Sequence, residues 1–347
     1  MQFQENVPLG PMTTLGVGGP SRWYAEARTE EELRAAVEWA GECRLPLFIL
    51  GGGSNLVVSD AGWPGLTLRV GLRGVKRRRE GEREIFEAGA GEDWDELVAC
   101  AVGANCAGVE CLSGIPGTVG GTPVQNVGAY GQDVSETLVG LRALELATGR
   151  FREFTNEECG FAYRTSRFNT TDRDKFVITR VTYALTPNAR PKIEYADLKK
   201  HFSGRDGVSL ADVREAVREI RRSKAMLIVE GDEDSRSAGS FFRNPVVDVA
   251  AYERLAAQVA AKGLVPPNYP AGQGKIKVAA AWLVEHSGFE RGFTMGRVGI
   301  SRRHALAIVN RGGATATEII GLKDLIQQKV RDTFGVELVP EPVFVGL

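Results

Sequence analysis

Glycine recurs through residues 113–131, which read Ser-Gly-Ile-Pro-Gly-Thr-Val-Gly-Gly-Thr-Pro-Val-Gln-Asn-Val-Gly-Ala-Tyr-Gly. Such a backbone turns tightly and leaves N–H groups uncovered, and uncovered N–H groups can cradle a phosphate or pyrophosphate. The side-chain amides of Gln125 and Asn126 could then face a polar ring. Tight turns without a ligand would have a similar composition. The length and order of the segment favour a phosphate-binding loop.

A second glycine-rich loop, Gly51-Gly-Gly-Ser-Asn55, follows the apolar run 45–50. This pattern predicts a buried strand that ends in a turn with an exposed backbone. The loop lacks the pattern G-x-G-x-x-G followed by a helix, and it lacks G-x-x-x-x-G-K-[ST]. Neither a Rossmann dinucleotide site nor a P-loop is therefore supported, and a second loop suited to phosphate remains.

Composition limits the kind of protein that carries these loops. A chain of 347 residues with 43% hydrophobic residues can bury a full core and suggests two or three domains. The net charge of −1 gives no global field that would recruit nucleic acid or an anionic membrane. The N-terminus does not resemble an export signal, and no apolar run is long enough to span a membrane.

The cysteines point to a reducing compartment and away from a metal site. Their number, five, is odd, and none has a histidine at the spacing of a metal site. We expect them to be reduced interior thiols of a cytoplasmic protein, without a bound metal.

The helices that must position the loops are predicted from apolar periodicity and capping residues. Thr29 with Glu32, and Thr315 with Glu318, have the spacing of a capping box. The predicted helices begin after Thr29, at Asp93, after Ser209, at Val249, at Val278 and after Thr315, and the polar end of the third suggests a domain boundary near residue 225. The helix after Ser209 is the one that ends there, at residues 223–224.

The strands are predicted from alternation and from turn residues. Residues 66–91 are expected to form hairpin strands, with the basic run 76–79 near a solvated tip, and residues 141–154 a hairpin that turns at Thr148-Gly149. Single strands are expected at 21–27, 176–185 and 336–345, and a proline-rich loop at 265–270.

The two glycine loops are followed in order by Phe161-Ala-Tyr-Arg-Thr-Ser-Arg-Phe168, Ala238-Gly-Ser-Phe-Phe-Arg-Asn-Pro245 and Pro340-Glu-Pro-Val-Phe-Val-Gly346. With these five segments the chain resembles, nearly end to end, the UDP-N-acetylenolpyruvoylglucosamine reductase family. The segment around Ile193-Glu-Tyr-Ala-Asp-Leu198 resembles the tyrosine-bearing loop of the family's longer type.

The resemblance implies an α+β fold with an FAD-binding part of two subdomains, of the PCMH or vanillyl-alcohol-oxidase type, and a C-terminal α+β substrate domain. The implied subdomains are 1–70, rejoined by 335–347, and 71–224, and the implied substrate domain is 225–334. The resemblance also implies noncovalent FAD as cofactor, NADPH as hydride donor and a nucleotide sugar as substrate. The implied role is cytoplasmic synthesis of peptidoglycan precursors, which is part of cell-wall biogenesis and underlies cell shape and cell division. We expect a monomer that binds neither nucleic acid nor membrane.

The implied reaction is reduction of an enol ether, which needs a proton donor and groups that stabilise a developing negative charge. Ser240 matches the proton donor of the family, and Arg164 and Glu341 match the other two catalytic positions. A guanidinium and a carboxyl group suit a carboxylate that gains charge. The chain departs from the family pattern at Val339, commonly a glutamate, and at Pro342, usually a valine.

The resemblance also implies two sets of binding residues. Those expected to bind FAD are Gly51, Gly52, Gly53, Ser54, Asn55, Gly117, Gly120, Gly121, Thr122, Gln125, Asn126, Gly128, Tyr130 and Tyr163. Those expected to bind the nucleotide sugar are Tyr195, Lys224, Asn244, Tyr269, Lys277 and His304. For His304 a satisfied buried histidine is an equal alternative, and Trp282 is expected in the core.

Two other functions would share part of this sequence pattern. A flavin-dependent oxidase would share the flavin-clamping fold, but neither glycine loop contains the histidine or cysteine that often tethers such a flavin. A flavin-binding module without catalysis would need the loops but not Ser240, Arg164 and Glu341. A hydrolase triad is disfavoured because Ser240 does not lie in Gly-x-Ser-x-Gly and the chain has only three histidines.

Overall fold

The computed structural model describes all 347 residues. Its helices are α1 Glu30–Glu42, α2 Trp94–Gly103, α3 Ala196–His201, α4 Leu210–Ser223, α5 Val249–Ala260, α6 Ala280–Glu285 and α7 Ala316–Phe334. Its strands are β1 Gln4–Pro8, β2 Pro20–Ala27, β3 Leu47–Leu50, β4 Leu56–Val58, β5 Trp63–Val70, β6 Val75–Glu80, β7 Arg83–Gly89, β8 Cys106–Ala107, β9 Gly128–Ala129, β10 Gln132–Asp133, β11 Leu138–Glu145, β12 Arg150–Thr155, β13 Phe176–Pro187, β14 Val246–Asp248, β15 Asn268–Pro270, β16 Lys275–Val278, β17 Thr294–Met295, β18 Val298–Ile300, β19 Ile308–Asn310 and β20 Val343–Val345. The α+β class expected from the sequence is confirmed.

The chain forms two compact units. Unit 1 consists of Met1–Val7, Ser21–Gly53 and Trp63–Ser223, and unit 2 consists of Pro8–Pro20, Ser54–Gly62 and Lys224–Leu347. The division into two FAD-binding subdomains and a substrate domain stays a prediction.

The first sheet of unit 1 has the strand order β1-β2-β5-β3, and β5 is parallel to both β2 and β3. Helix α1 begins as expected, because the Thr29 hydroxyl accepts the Glu32 N–H at 3.2 Å. Its face of Leu33, Ala36 and Ala40 is buried. Buried strands of a parallel sheet are apolar almost throughout, and a helix covers them.

The expected hairpin over residues 66–91 is wrong in its first part. Residues 66–70 belong to β5, whose neighbours in the sheet lie far away in sequence. The hairpin consists of β6 and β7 alone, in the register Arg78↔Ile85. Alternation cannot tell a strand that pairs with the next strand from one that pairs with an earlier strand.

The second sheet of unit 1 has the order β12-β11-β13-β7-β6, with β8 also paired to β13. The predicted hairpin of β11 and β12 is confirmed by the register Glu145↔Arg150. Strand β6 is an exposed edge, and Arg77 pairs with Glu84 at 2.5 Å. The basic run is therefore a solvated strand that leads to the hairpin turn. Its charged side chains disfavour pairing of this open edge with a strand of another molecule.

Unit 2 contains three small sheets, β4 with β20, β14-β16-β15, and β17-β18-β19. The expected capping box of α7 is present, and the helix ends at Gly335 in the left-handed conformation. The predicted strand 336–345 is wrong except for β20, because Pro340 and Pro342 cannot donate the hydrogen bonds of a continuous ladder. The proline-rich loop 265–270 ends in a short strand, β15.

The cysteines differ in their surroundings. Cys106, Cys111 and Cys159 are buried, as expected, and all five are free thiols. Cys43 and Cys100 are exposed, so the expectation that every cysteine is interior is wrong. No helix combines the length and apolar character needed to cross a membrane.

Candidate functional site

The two glycine loops of unit 1 pack backbone against backbone. A Cβ atom at Gly52 would lie 2.5 Å from the Cα of Gly117 and 2.9 Å from its carbonyl carbon. Gly117 has φ +126°, a conformation that residues with a side chain rarely adopt. Only glycine at both positions allows this approach, so the loops expected to bind a phosphate are brought together.

The backbone N–H groups of the longer loop are only partly available to a ligand. Those of Gly120, Gly121 and Thr122 donate to Ala90, Thr118 and Val119 within the chain, because residues 119–121 form a turn of 3-10 helix. The N–H groups of Gly117 and Thr118 donate to no acceptor in the chain. The cradle predicted across the whole loop is therefore confined to the stretch that packs on Gly52.

Gly121 is exposed, and the space next to it is open. A Cβ atom there would meet nothing closer than the Thr118 hydroxyl at 3.9 Å, whereas one at Gly120 would lie 2.5 Å from the Ala90 side chain. Gly120 is thus required by packing, and Gly121 leaves room that a cofactor could fill. Open N–H groups, an uncovered glycine backbone and the lack of His or Cys in either loop fit a noncovalent dinucleotide such as FAD.

Two side chains expected at the cofactor are engaged inside the protein. Asn126 is buried, and its Nδ2 donates to the Ala162 carbonyl at 3.1 Å while its Oδ1 accepts the Ser135 N–H at 3.1 Å. The Thr122 hydroxyl lies 2.8 Å from the Tyr183 hydroxyl. The Asn126 amide therefore fixes the backbone before Tyr163 and is not available as a free amide. Gln125, its neighbour in the loop, is half-buried.

Arg164 lies in the turn between Ala162 and Thr165, and its side chain contacts the end of the longer loop. It has φ +53°, its Nη2 donates to the Gly128 carbonyl at 2.6 Å, and its Nη1 lies 3.9 Å from Asp133 Oδ1. Its guanidinium also lies 5.6 Å from the ring centre of Tyr163, whose side chain is exposed. Several contacts thus fix the direction of the charge, as required of a group that binds an anion in one geometry.

Tyr195 precedes α3 and packs its ring edge-on against Tyr130, with 5.4 Å between ring centres. Tyr195 is 44% exposed, so one side of its ring is open to solvent. Arg221 is buried, and burial lowers the pKa of its guanidinium while the charge and the hydrogen bond of Tyr130 oppose that shift. Its Nε donates to the Gly114 carbonyl at 3.0 Å, so Arg221 contacts both Tyr130 and the start of the loop.

Asp95 anchors the same loop and was missed from the sequence. Its carboxylate accepts the Gly114 N–H at 2.6 Å and pairs with Arg214 at 2.5 Å and with Arg218. Partial burial opposes ionisation, but the hydrogen bonds from Arg214 and Gly114 outweigh it and hold the pKa of Asp95 below its ordinary value of 3.8. Asp95 and Arg214 are 119 positions apart in the sequence, which explains why no local pattern revealed the pair.

Asp95→Asn is expected to destabilise unit 1 by about 1–2 kcal/mol at pH 7, because two arginines lose their counter-charge. Since the folded pKa is lowered, the stabilisation is complete above pH 3.8 and disappears as the pH falls through the folded value. Urea unfolding of both proteins between pH 7 and pH 2.5 measures this. The exposed neighbour variant Glu96→Gln serves as control, and a wild-type advantage that does not decrease as the pH falls below 3.8 would contradict the assignment.

In unit 2, Ser240 and Glu341 lie on segments that pair with each other. The Glu341 N–H donates to the Phe241 carbonyl at 2.9 Å, and the Arg243 N–H donates to the Val339 carbonyl at 3.0 Å. Asn55 also holds the backbone of Glu341, because its Nδ2 donates to the Glu341 carbonyl at 3.2 Å. The backbone therefore fixes the spacing of two predicted catalytic residues that are 101 positions apart in the sequence. Pro342 does not interrupt this pairing, since Glu341 supplies the N–H.

His304 contacts Ser240 directly. Its Nε2 lies 2.9 Å from the Ser240 Oγ. His304 is half-buried. The sequence offered two alternatives for it, a substrate ligand or a buried structural histidine, and neither included Ser240 as its partner.

The remaining residues predicted to bind substrate occupy separate places in unit 2. Asn244 accepts the Ala280 N–H at 2.9 Å and so caps α6. Tyr269 lies opposite Lys277 in the ladder, and the Lys277 Nζ is 5.8 Å from the centre of the Tyr269 ring. Lys224 begins the last segment of the unit and is half-buried. Ser54, which was predicted to bind FAD, accepts the hydroxyl of Thr14 at its backbone carbonyl at 3.2 Å. Trp282 is partly buried and packs on the core, as expected.

Comparison with known proteins covers the whole chain. The FAD binding domain family matches residues 21–155, and the family described as UDP-N-acetylenolpyruvoylglucosamine reductase, C-terminal domain, matches residues 232–345. The reductase of Thermobifida fusca is 44% identical over 353 residues, 99% of this chain and 98% of that protein. That of Streptomyces avermitilis is 41% identical over 359 residues, 100% of this chain and 96% of that protein.

The chain belongs to the UDP-N-acetylenolpyruvoylglucosamine reductase family.

A solved structure of this family agrees. The UDP-N-acetylenolpyruvylglucosamine reductase of Thermus caldophilus superimposes with a TM-score of 0.69 at 25% identity, and the match covers 99% of each chain. The FAD-binding match contains both glycine loops, and the C-terminal match contains Ser240, His304 and Glu341. The family expected from the five sequence segments is thus confirmed, and the chain is an FAD-containing oxidoreductase.

Proposed function

We propose that this protein reduces UDP-N-acetylglucosamine enolpyruvate to UDP-N-acetylmuramate, with NADPH as reductant, in peptidoglycan precursor synthesis. Bound FAD would supply the hydride-transfer chemistry that links NADPH to the vinyl carbon of the enol ether. Family membership at 41–44% identity supports the reaction. The observation in the fold that carries it is the pairing of the Ser240 and Glu341 segments, which a flavin-binding module without catalysis would not need.

The chain's own residues are proposed to manage charge and protons. After hydride addition, the substrate carbon beside the carboxylate must take a proton, and the Ser240 hydroxyl is the proposed donor. The Arg164 guanidinium is the proposed cation for the substrate carboxylate, and its fixed direction suits that role. Glu341 is the proposed second acid; its backbone N–H donates to the Phe241 carbonyl, and its carbonyl accepts the side-chain amide of Asn55.

FAD is proposed to bind through its pyrophosphate at the backbone of residues 51–55 and 113–121, where Gly117 and Thr118 have open N–H groups. Tyr130 and Tyr163 are the proposed aromatic contacts of the cofactor. The nucleotide sugar is proposed to contact Tyr195, Lys224, Asn244, Tyr269 and Lys277, which supply aromatic faces, cations and an amide. We further propose a cytoplasmic monomer that binds neither nucleic acid nor membrane, with FAD subdomains 1–70 plus 335–347 and 71–224 and a substrate domain 225–334.

The test is anaerobic spectroscopy of the purified protein. We expect a yellow protein that NADPH bleaches, with absorbance that UDP-N-acetylglucosamine enolpyruvate restores. Acid precipitation is expected to release FAD into the supernatant. Flavin that stays in the pellet would contradict noncovalent binding, and a bleached protein that oxygen but not the enol ether reoxidises would favour an oxidase.

Tyr195→Phe is expected to raise the KM for the nucleotide sugar about 3- to 10-fold, the size of one neutral hydrogen bond. The variant keeps the aromatic ring and its packing on Tyr130, so folding and flavin reduction by NADPH are expected to stay unchanged. Steady-state kinetics with both substrates measure this. Slower flavin reduction with an unchanged KM for the sugar would show that Tyr195 does not contact the nucleotide sugar.

A further inference from the structure

The Ser240 hydroxyl has a histidine within hydrogen-bond distance, at 2.9 Å from Nε2. A serine is a weak acid, and a serine that gives up its proton must hold an alkoxide, at least briefly. A hydrogen bond to a charged oxygen is about twice as strong as one to a neutral oxygen. A donor aimed at this oxygen would therefore stabilise the state after proton transfer more than the state before it.

Both partners are held by backbone bonds that leave the pair little freedom. The Phe241 N–H, next to Ser240, donates to the Leu306 carbonyl at 2.7 Å. The Ala307 N–H donates to the His304 carbonyl at 3.1 Å, which closes the turn that carries the imidazole. One backbone hydrogen bond therefore joins the segments of Ser240 and His304, and a second closes the turn of His304, so both segments are held where the two side chains lie 2.9 Å apart.

A buried charged side chain anchors the turn of His304 from the other side. Asp234 is 5% exposed, and its Oδ2 accepts the Arg302 N–H at 3.2 Å. Arg303 Nε lies 3.7 Å from the same Asp234 oxygen, and Arg303 also pairs with Asp232. Two consecutive residues before His304 are thus tied to Asp234, so the backbone before the imidazole is fixed.

We propose that His304 is a positioning residue for Ser240, not a ligand of the nucleotide sugar. When the His304 Nε2–H donates to a lone pair of Oγ, the single hydroxyl hydrogen of Ser240 is left to point toward the substrate. The O–H bond of Ser240 then breaks, a C–H bond forms at the substrate carbon, and the electron pair left on Oγ is stabilised by the His304 N–H. A solvent proton later restores the hydroxyl. The inference rests on the proposed function.

The test compares the two half-reactions in His304→Ala, His304→Gln and His286→Gln holoenzymes by stopped flow. His304→Ala is expected to slow flavin reoxidation by the enol ether about 10- to 100-fold, the effect of losing one hydrogen bond to a charged group. Flavin reduction by NADPH and the Kd for the sugar are expected to stay unchanged. His304→Gln keeps an N–H donor and is expected to recover part of the rate. His286 is exposed and serves as control.

A double-mutant cycle with Ser240→Ala separates positioning from general structural damage. If His304 acts through Ser240, adding His304→Ala to Ser240→Ala causes no further slowing. Imidazole nitrogen NMR gives a readout independent of activity, because Ser240→Ala is expected to shift the His304 signal and not the His286 signal. Additive slowing in the double variant, or an increased Kd for the sugar with unchanged reoxidation, would overturn the proposal. A wild-type enzyme that does not reduce the enol ether would instead refute the proposed function.

Discussion

Ser240→Ala is expected to leave flavin reduction by NADPH unchanged and to slow reoxidation by the enol ether about 10²- to 10⁴-fold. This is the usual contribution of a positioned general acid, and without the hydroxyl the carbanion has no nearby proton source. Ser240→Cys is expected to recover part of the rate, because a thiol can also donate a proton. Stopped-flow traces of each half-reaction measure both effects.

The two half-reactions make this prediction selective. A residue that only supports FAD binding slows both steps, whereas a proton donor affects the second step alone. Equal slowing of both steps, or normal reoxidation of Ser240→Ala, would remove Ser240 from the role of proton donor. The fold is expected to tolerate the change, since the backbone bonds of Phe241 and Glu341 hold the segment without the hydroxyl.

Gly52→Ala is expected to destabilise unit 1 by about 1–3 kcal/mol and to weaken FAD binding about tenfold or more. The new methyl group would lie 2.5 Å from the Cα of Gly117, so one of the two loops must move. The backbone at Gly52 is not left-handed, and the effect is therefore purely steric. Urea unfolding of the apoprotein and FAD titration by fluorescence measure the two consequences.

Gly41→Ala is the matched control for this substitution. A methyl group there meets no atom within 4 Å, and Gly41 lies inside α1. Alanine is favoured over glycine in a helix by about 1 kcal/mol, so the control is expected to be as stable as the wild type or slightly more stable. If Gly52→Ala matched the control in stability and in FAD affinity, close packing of the loops would not matter for the cofactor.

Local patterns predicted many elements of this fold and little of its contacts. Thr315 with Glu318, and Asp93 before α2, signalled helix starts because a cap and its helix are neighbours in sequence. Strand β5 was assigned to a hairpin because its pairing with β2 and β3 depends on residues far away. Prolines 340 and 342 could have shown that the closing strand is short.

The candidate site shows the same limit. Its residue types followed from the resemblance, but the partner of each residue did not. Asn126 looks like a ligand in the sequence, yet its amide serves Ala162 and Ser135, and His304 meets Ser240 across 64 residues of chain. Such contacts depend on tertiary packing and leave no periodic signal.

The central claim is that the enol ether itself takes electrons from the bound flavin with the help of this chain's proton donor. The most direct measurement is an anaerobic single turnover, in which photoreduced enzyme without NADPH is mixed with one equivalent of UDP-N-acetylglucosamine enolpyruvate. We predict full return of the flavin absorbance and one equivalent of UDP-N-acetylmuramate by mass spectrometry. Absorbance that stays bleached, or that returns without the product, would contradict the account.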